Sequence, residues 1–384
     1  MPRGLLLYNG ASMPMREPDT RMWRKEHGVG AKPEAILIYT TSPLALNKLR
    51  GVLHFHGLAS TEPMPNMALV AAEANQLTQV INQWRDTLTP EEFVEVRGAL
   101  LETRAPGPED ISRAMLNFFD LDQALAKMKT RWLVRLLAAD SFFVMFQPLF
   151  SIEQRRTLAF ECLLRGNQDG QPVGVDKLLQ GAGVLGMSHE LDLAAWRAAF
   201  KQGQPIVQQG HVLFLNFTPS SMFKPKFAVT ETKALAEDQG VSFSSLVFEV
   251  TEAEKVRDLE NLKRIMDEYR DAGARVALDD LGSGYSSILH LADLRPDFVK
   301  LDQGLVRDAY KDQVRGVLLK AIADAAHELD IQVVAEGVET AEDLKFCMDL
   351  KADLVQGYYV ARPAEVAPTV APEVLQKIAE WSGN

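Results

Sequence analysis

Residues Arg275–Ser287 read R-V-A-L-D-D-L-G-S-G-Y-S-S. A short apolar run of strand character, Val276–Leu278, ends in two adjacent carboxylates, Asp279 and Asp280, and then in a glycine-interrupted loop. Side chains alternate along a strand, so neighbouring aspartates at its end point apart unless the backbone is already turning. Two carboxylates beside such a loop suit a hard divalent cation, which takes oxygen ligands and offsets clustered negative charge. The plainer reading has Asp280 capping the next turn and Asp279 solvated. What separates the two readings is whether the pattern recurs along the chain.

It does recur. Apolar runs of strand length occur at Phe142–Phe146, Leu158–Phe160, Val212–Leu215, Leu246–Phe248, Val276–Leu278, Phe298–Leu301, Val333–Ala335 and Leu354–Val355. Most are separated by helix-length segments, such as Glu190–Lys201, Glu254–Asp271 and Val314–Leu329. That alternation predicts an α/β fold, a (β/α)8 TIM-like barrel. Only about ten residues separate the first two runs, enough for a hairpin but too few for a parallel crossover, so the first strand is expected to be antiparallel. After the second run comes Glu161, after the third Asn216, after the fourth Glu249 and after the fifth Asp279 and Asp280. Lys300 and Asp302 lie at the sixth, Glu336 follows the seventh and Gln356 the eighth. In a barrel these positions share the C-terminal rim, where barrel enzymes do their chemistry. A merely solvated acidic rim would not need Asn, Gln and Lys among the acids.

The chain has 384 residues, long for one core, and predicts two domains with a connecting segment: 1–108, 109–140 and 141–384. A formal net charge of -11 argues against an electrostatic grip on bulk nucleic acid or on an anionic membrane. Cys162 and Cys347 are the only cysteines, too few for a disulfide framework, which fits a reducing cytoplasm. The apolar run in M-P-R-G-L-L-L-Y-N-G is too short for a signal peptide, and no stretch approaches a bilayer span, so no membrane insertion is expected.

Before the barrel the pattern is short-range. Strand-like runs at Leu5–Tyr8, Ala35–Thr40 and Val52–His56, with helix-like segments at Met67–Leu88 and Glu91–Glu102, predict a small mixed α/β or α+β domain without a catalytic or cofactor motif. His54 and His56 would share a strand face, which suits a metal or a pH sensor less well than an ordinary half-buried strand. Ile111–Ala139 reads as one long helix or a broken pair. Its apolar residues Phe118, Leu121, Leu125, Met128 and Trp132 follow a coiled-coil spacing, although packing against the helix's own domain gives the same stripe.

From about Met145 to Pro363 the chain resembles the EAL-domain family of bacterial cyclic di-GMP phosphodiesterases. The name motif appears as Glu161-Cys162-Leu163-Leu164-Arg165, with Cys162 in place of the usual alanine. The other signatures are F-Q-P at Phe146–Pro148, N-F-T at Asn216–Thr218, E-V-T-E at Glu249–Glu252, the D-D-L-G-S-G-Y-S-S loop, V-K-L-D at Val299–Asp302, A-E-G-V-E at Ala335–Glu339 and Q-G-Y at Gln356–Tyr358. Leu281 and Ser283 stand where the family commonly has Phe and Thr.

The resemblance implies metal-dependent hydrolysis of cyclic di-GMP to linear 5′-pGpG, regulated by the N-terminal domain. Glu161, Asn216, Glu249 and Asp279 match direct metal ligands; Asp280 and Glu336 match positions that help hold a second metal or its waters. Two ions, Mg2+ or Mn2+, would activate a water for in-line displacement at phosphorus. Lys300 matches the lysine near that water, Glu336 is a candidate proton acceptor, and Glu252 matches a residue that holds the loop after Asp280. Gln147, Arg165, Gln356 and Pro363 match positions lining the dinucleotide groove, and Asp302 either contacts substrate or serves a structural role near Lys300. The family also implies a homodimer. The alternatives are a catalytically silent cyclic di-GMP receptor and a scaffold whose first domain binds a regulatory partner.

Overall fold

The computed structural model describes residues 34–101, 103–218, 225–251, 259–281 and 287–382. The expected strand at Leu5–Tyr8 lies outside them. The chain divides into two compact units, Met1–Ala138 and Ala139–Asn384.

In the first unit, β1 (Ala35–Tyr39) is the central strand of a five-stranded antiparallel sheet. Its neighbours are β2 (Ser60–Thr61), β3 (Met67–Ala71), β4 (Arg97–Leu101) and β5 (Phe119–Asp120), in the order β2-β3-β1-β4-β5. Helix α1 (Pro43–Phe55) links β1 to β2, while α2 (Ala74–Thr87) and the short α3 (Pro90–Glu95) link β3 to β4. The β-α-β-β-α-β order is the split βαβ arrangement. Ile36, Ile38, Leu49, Val70, Leu77 and Trp84 pack together on one face, and the Trp84 indole N–H donates to Leu49 O at 3.1 Å.

Several local expectations for this unit change. Val52–His56 is the end of α1 rather than a strand, because Leu46, Leu49 and Leu53 recur at helical spacing, and Ser42 Oγ caps the helix by accepting from Ala45 N. His54 and His56 therefore do not share a face. Met67–Leu88 divides into β3 and α2, and Glu91–Glu102 into α3 and β4. Beyond β4 the chain forms α4 (Pro108–Met115), α5 (Leu121–Lys129) and α6 (Arg131–Ala138) rather than one long helix. Leu121, Leu125 and Met128 are buried in the first unit's own core, so that part of the stripe packs within the unit and is not a seam for a second chain.

The second unit is the barrel. Its strands are β6 (Phe142–Ser151), β7 (Arg156–Gln168), the short β8 (Gln171–Val173), β9 (Val212–Phe217), β10 (Leu246–Thr251), β11 (Arg275–Leu281), β12 (Phe298–Leu301), β13 (Gln332–Ala335) and β14 (Leu354–Val355). Strands β7 and β9 to β14 pair in parallel in sequence order, and β6 closes the ring between β14 and β7, antiparallel to both. Because β8 pairs only with β7, eight strands form the wall, each containing one of the apolar runs read from the sequence. The (β/α)8 architecture and the antiparallel first strand are both as expected.

The barrel interior is filled one residue per strand. Leu149, Ala159, Phe214, Val247, Ala277, Phe298, Val334 and Leu354 form a single buried cluster. A larger cluster on the outer faces of the strands packs against the helices, among them α8 (Ser188–Gln208), α9 (Pro225–Asp238), α10 (Leu259–Asp271), α11 (Ser287–Leu294), the short α12 (Gln303–Val306), α13 (Gln313–Glu328), α14 (Ala341–Asp349) and α15 (Pro372–Trp381), while α7 (Val175–Leu185) lies against β7 and α8. No helix among the described residues is long and apolar enough to cross a membrane.

Candidate active site

Side chains alternate along a strand, so the residue two positions beyond an interior residue also faces inward. Two beyond Ala159, Phe214, Val247, Ala277, Phe298, Val334 and Leu354 lie Glu161, Asn216, Glu249, Asp279, Lys300, Glu336 and Gln356. The antiparallel β6 contributes in reverse, with Gln147 two before Leu149 and opposite Glu161 in register. One apolar layer thus floors one polar layer, and each wall strand supplies both, Glu336 and Gln356 standing directly after the ends of β13 and β14.

The polar layer closes on Lys300, whose side chain is 1% exposed. Its Nζ lies 2.7 Å from Glu336 Oε1, 2.8 Å from Glu249 Oε1, 3.2 Å from Asp279 Oδ1 and 3.6 Å from Glu161 Oε2. Gln356 Nε2 donates to Glu161 Oε2 at 2.7 Å and Asn216 Nδ2 to Glu161 Oε1 at 3.2 Å, which orients both amides. One ammonium does not balance four carboxylates. Although burial opposes charge on Lys300, the surrounding acids Asp279, Glu161, Glu249 and Glu336 outweigh it and hold the amine protonated. Burial pushes Glu249 well above the carboxylate range despite Lys300, and pushes Glu336 up to about 8.

Asp280 joins this set through a backbone device. The register between β11 and β12 shifts between Leu278 and Leu281, and Asp280 adopts a left-handed φ of 57°. Its N–H donates to Asp279 Oδ1 at 2.9 Å. Adjacent strand residues that would diverge are thereby turned together, and carboxylate oxygens of Asp279, Asp280 and Glu336 lie within 4.8 Å of one another. Burial, then the Asp279 charge, raises Asp280 to about 6.

Further acceptors are left over. Both Glu249 oxygens and Gln356 Oε1 are buried without a hydrogen-bond partner, Oε1 of Glu249 having Lys300 close but out of line. Buried acceptors without donors are costly, and an all-oxygen set with surplus negative charge fits a hard divalent cation.

Arg165 lies four residues past Glu161 on the same face of β7 and is partly exposed, its Nη1 donating to Leu164 O. Reciprocal backbone hydrogen bonds between Phe146 and Ala364, at 2.7 and 3.1 Å, bring the segment bearing Pro363 alongside Gln147. Asp302 caps α12, its Oδ1 accepting from Gly304 N at 2.9 Å. Glu339, the last residue of the A-E-G-V-E motif, could be read as a ligand or as a helix-start residue; it pairs with Arg307 at the surface, and Thr340 is the helix cap. Glu252, Gly282 and Gly284 lie outside the described residues. Two residues without a signature in the sequence, Asp192 and Trp196 on α8, bond at the end of β9, Trp196 donating to Asn216 O and Asp192 accepting from Thr218 N. The available signal was a carboxylate on the otherwise apolar buried face of that helix.

The EAL domain family matches residues 130–363. The chain belongs to the EAL domain family. Over 235 residues the EAL chain is 29% identical to "Cyclic di-GMP phosphodiesterase NbdA" of Pseudomonas aeruginosa, covering 60% of this chain and 30% of that protein. It is 27% identical over 270 residues to "Cyclic di-GMP phosphodiesterase PdeF" of Escherichia coli, covering 68% and 35%. The EAL chain therefore spans about a third of the length of these curated relatives, 30% and 35%. Among solved structures, a standalone EAL protein from Vibrio cholerae in its c-di-GMP-bound form aligns with a TM-score of 0.54 at 30% identity, over 61% of this chain and 97% of that one.

Proposed function

We propose that the barrel is a divalent-cation-dependent phosphodiesterase that opens cyclic di-GMP to linear 5′-pGpG. The observation that carries this reading is the polar layer around Lys300, with buried acceptors of Glu249 and Gln356 unpartnered. Glu161, Asn216, Glu249 and Asp279 would hold one Mg2+ or Mn2+, and Asp280 and Glu336 a second ion or its waters. When bound, such ions supply Lewis acidity toward phosphoryl oxygens and an acidified water as nucleophile.

The chain's own groups then divide the work. Lys300, held cationic by its acids, stabilises negative charge developing on the phosphoryl oxygens. Glu336, 2.7 Å from Lys300 Nζ, would accept a proton once it has lost its own, which burial holds up to about 8 in the metal-free protein. Arg165 suits a phosphate contact above Glu161, and Gln147, Gln356 and Pro363 border the dinucleotide. Asp302 fixes the turn after Lys300 by its cap rather than by touching substrate.

The first unit regulates the barrel in this reading. The active form is a homodimer in the cytoplasm. Val314, Val317 and Leu318 support the dimer, forming an exposed apolar stripe at i, i+3 and i+4 on α13. Buried, unpaired Cys162 and Cys347 accord with a reducing compartment. A silent receptor is the rival class; the full complement of acids, amides and lysine weighs against it.

The test is cyclic di-GMP hydrolysis followed by chromatography of pGpG, for the whole chain and for Glu161→Ala, with Mg2+, Mn2+ or chelator. Cation-dependent turnover that falls about 10²–10³-fold or more in the variant supports the reading. Nucleotide binding without turnover under either cation replaces it with the receptor.

A further inference from the structure

Strand β9 delivers Asn216 to the rim, and helix α8 grips the strand end around it. Asp192 and Trp196, four residues apart and so on one helix face, are 6% and 1% exposed. Trp196 Nε1 donates to Asn216 O at 3.1 Å. The Asp192 carboxylate receives Thr218 twice, from the backbone N–H to Oδ2 at 3.2 Å and from the hydroxyl to Oδ1 at 3.3 Å. Asn216 and Thr218 are the polar members of the N-F-T motif, so this contact accounts for its threonine. The same indole meets Phe248 edge-on, with ring centroids 5.7 Å apart, directly before Glu249 on β10. At the helix's far end Gly203 allows close approach to β9, since a Cβ there would lie 2.6 Å from Leu213 Cδ1. The helix is therefore docked on β9 at both ends, and its rim end holds main-chain groups at and just beyond Asn216.

We propose that Asp192 and Trp196 are positioning residues for cation binding, fixing the main chain at Asn216 so that its amide is presented to the ion while Nδ2 stays on Glu161. The inference rests on the reading of the rim as a divalent-cation site. Neither residue contacts ion or substrate in this scheme; both act through β9. Groups that orient ligands in this way typically alter metal affinity 10- to 100-fold when removed.

The experiment is Mn2+ binding to the metal-free whole chain, followed by the electron paramagnetic resonance of the free ion, well below the melting transition of every variant. Trp196→Phe keeps the ring and removes the donor; Asp192→Asn keeps the shape and removes the charge; Thr218→Val removes the hydroxyl. Each weakens Mn2+ binding about 10- to 100-fold, whereas Thr218→Ser binds as the wild type does. Ile206→Ala, on the same helix away from the clamp, lowers Tm without changing Mn2+ affinity. Wild-type affinity in both Trp196→Phe and Asp192→Asn overturns the clamp whatever their Tm. An equal loss in Ile206→Ala overturns it too, because general loosening would then suffice. If the wild type itself takes up no Mn2+, the cation reading falls and the clamp with it.

Discussion

Glu249 is 0% exposed and faces Lys300, with no aligned hydrogen bond to either oxygen. Burial pushes its carboxyl well above the carboxylate range, so keeping this acid among three others is costly in the metal-free protein, and the neutral isostere removes that cost. Glu249→Gln is expected to raise the Tm of the chelated protein, by about 1–3 kcal/mol of stability, and to weaken cation binding. Differential scanning calorimetry with chelator checks it, and a lower Tm than wild type would contradict it. Two neighbours set a pH dependence. Folded Asp280 and Glu336 titrate near 6 and 8, above ordinary carboxylates, so between the usual carboxylate range and about 8 the folded state binds more protons than the unfolded chain. Metal-free stability therefore falls as pH rises through that window, while cation affinity rises because the ion displaces those protons. Melting curves from about pH 5 to about pH 9, with and without Mn2+, test both signs. At this scale the sequence was informative because one rule, a polar residue two positions beyond a barrel-interior residue, marks the layer. Asp192 and Trp196 escaped because they belong to a helix and meet β9 only through tertiary packing.

Among elements, the rim segments after β12, β13 and β14 are locked together by glycines. Gly337 has φ 70°, and a Cβ there would lie 2.5 Å from Gln303 Cβ. A Cβ on Gly357 would lie 2.1 Å from Val338 O and 2.3 Å from Val338 N, while Val338 N donates to Gln356 O. Gly357→Ala must therefore part the segments carrying Glu336 and Gln356; a loss of about 3 kcal/mol is expected, with impaired cation binding. Gly183→Ala, in α7 with nothing within 4 Å, is expected to stabilise by about 0.5–1 kcal/mol. Denaturant titration of the pair decides, and similar values for both would refute the interlock. The barrel's elements were legible because each buried strand is a continuous apolar run ended by a polar rim residue. The first unit was less so. There Val52–Phe55 has local strand character but belongs to a 13-residue helix whose stripe appears only in the longer window, and Met67–Leu88 joins a strand to a helix without a glycine or proline between them.

For the whole molecule, all eight wall strands lie within Ala139–Asn384. A chain begun at Ala139 is expected to melt cooperatively and to retain cation-dependent turnover with altered rate or affinity; unchanged kinetics would remove the regulatory role of the first unit. Val317→Glu is expected to shift the sedimentation of the whole chain from dimer to monomer, and an unaltered dimer would relocate the interface. The antiparallel β6 has a consequence of another kind. Its pairing with β7 is a local hairpin, yet its other edge waits for β14, so that Ser151 meets Leu354 and Phe150 meets Val355. During synthesis the ring cannot shut until nearly the last of the barrel has left the ribosome, and until then β6 presents an open edge to other chains. The pocket has no half-built working form: every stave is needed before Lys300 is enclosed, so the nascent chain passes from an unclosed sheet to a finished centre only once β14 has emerged.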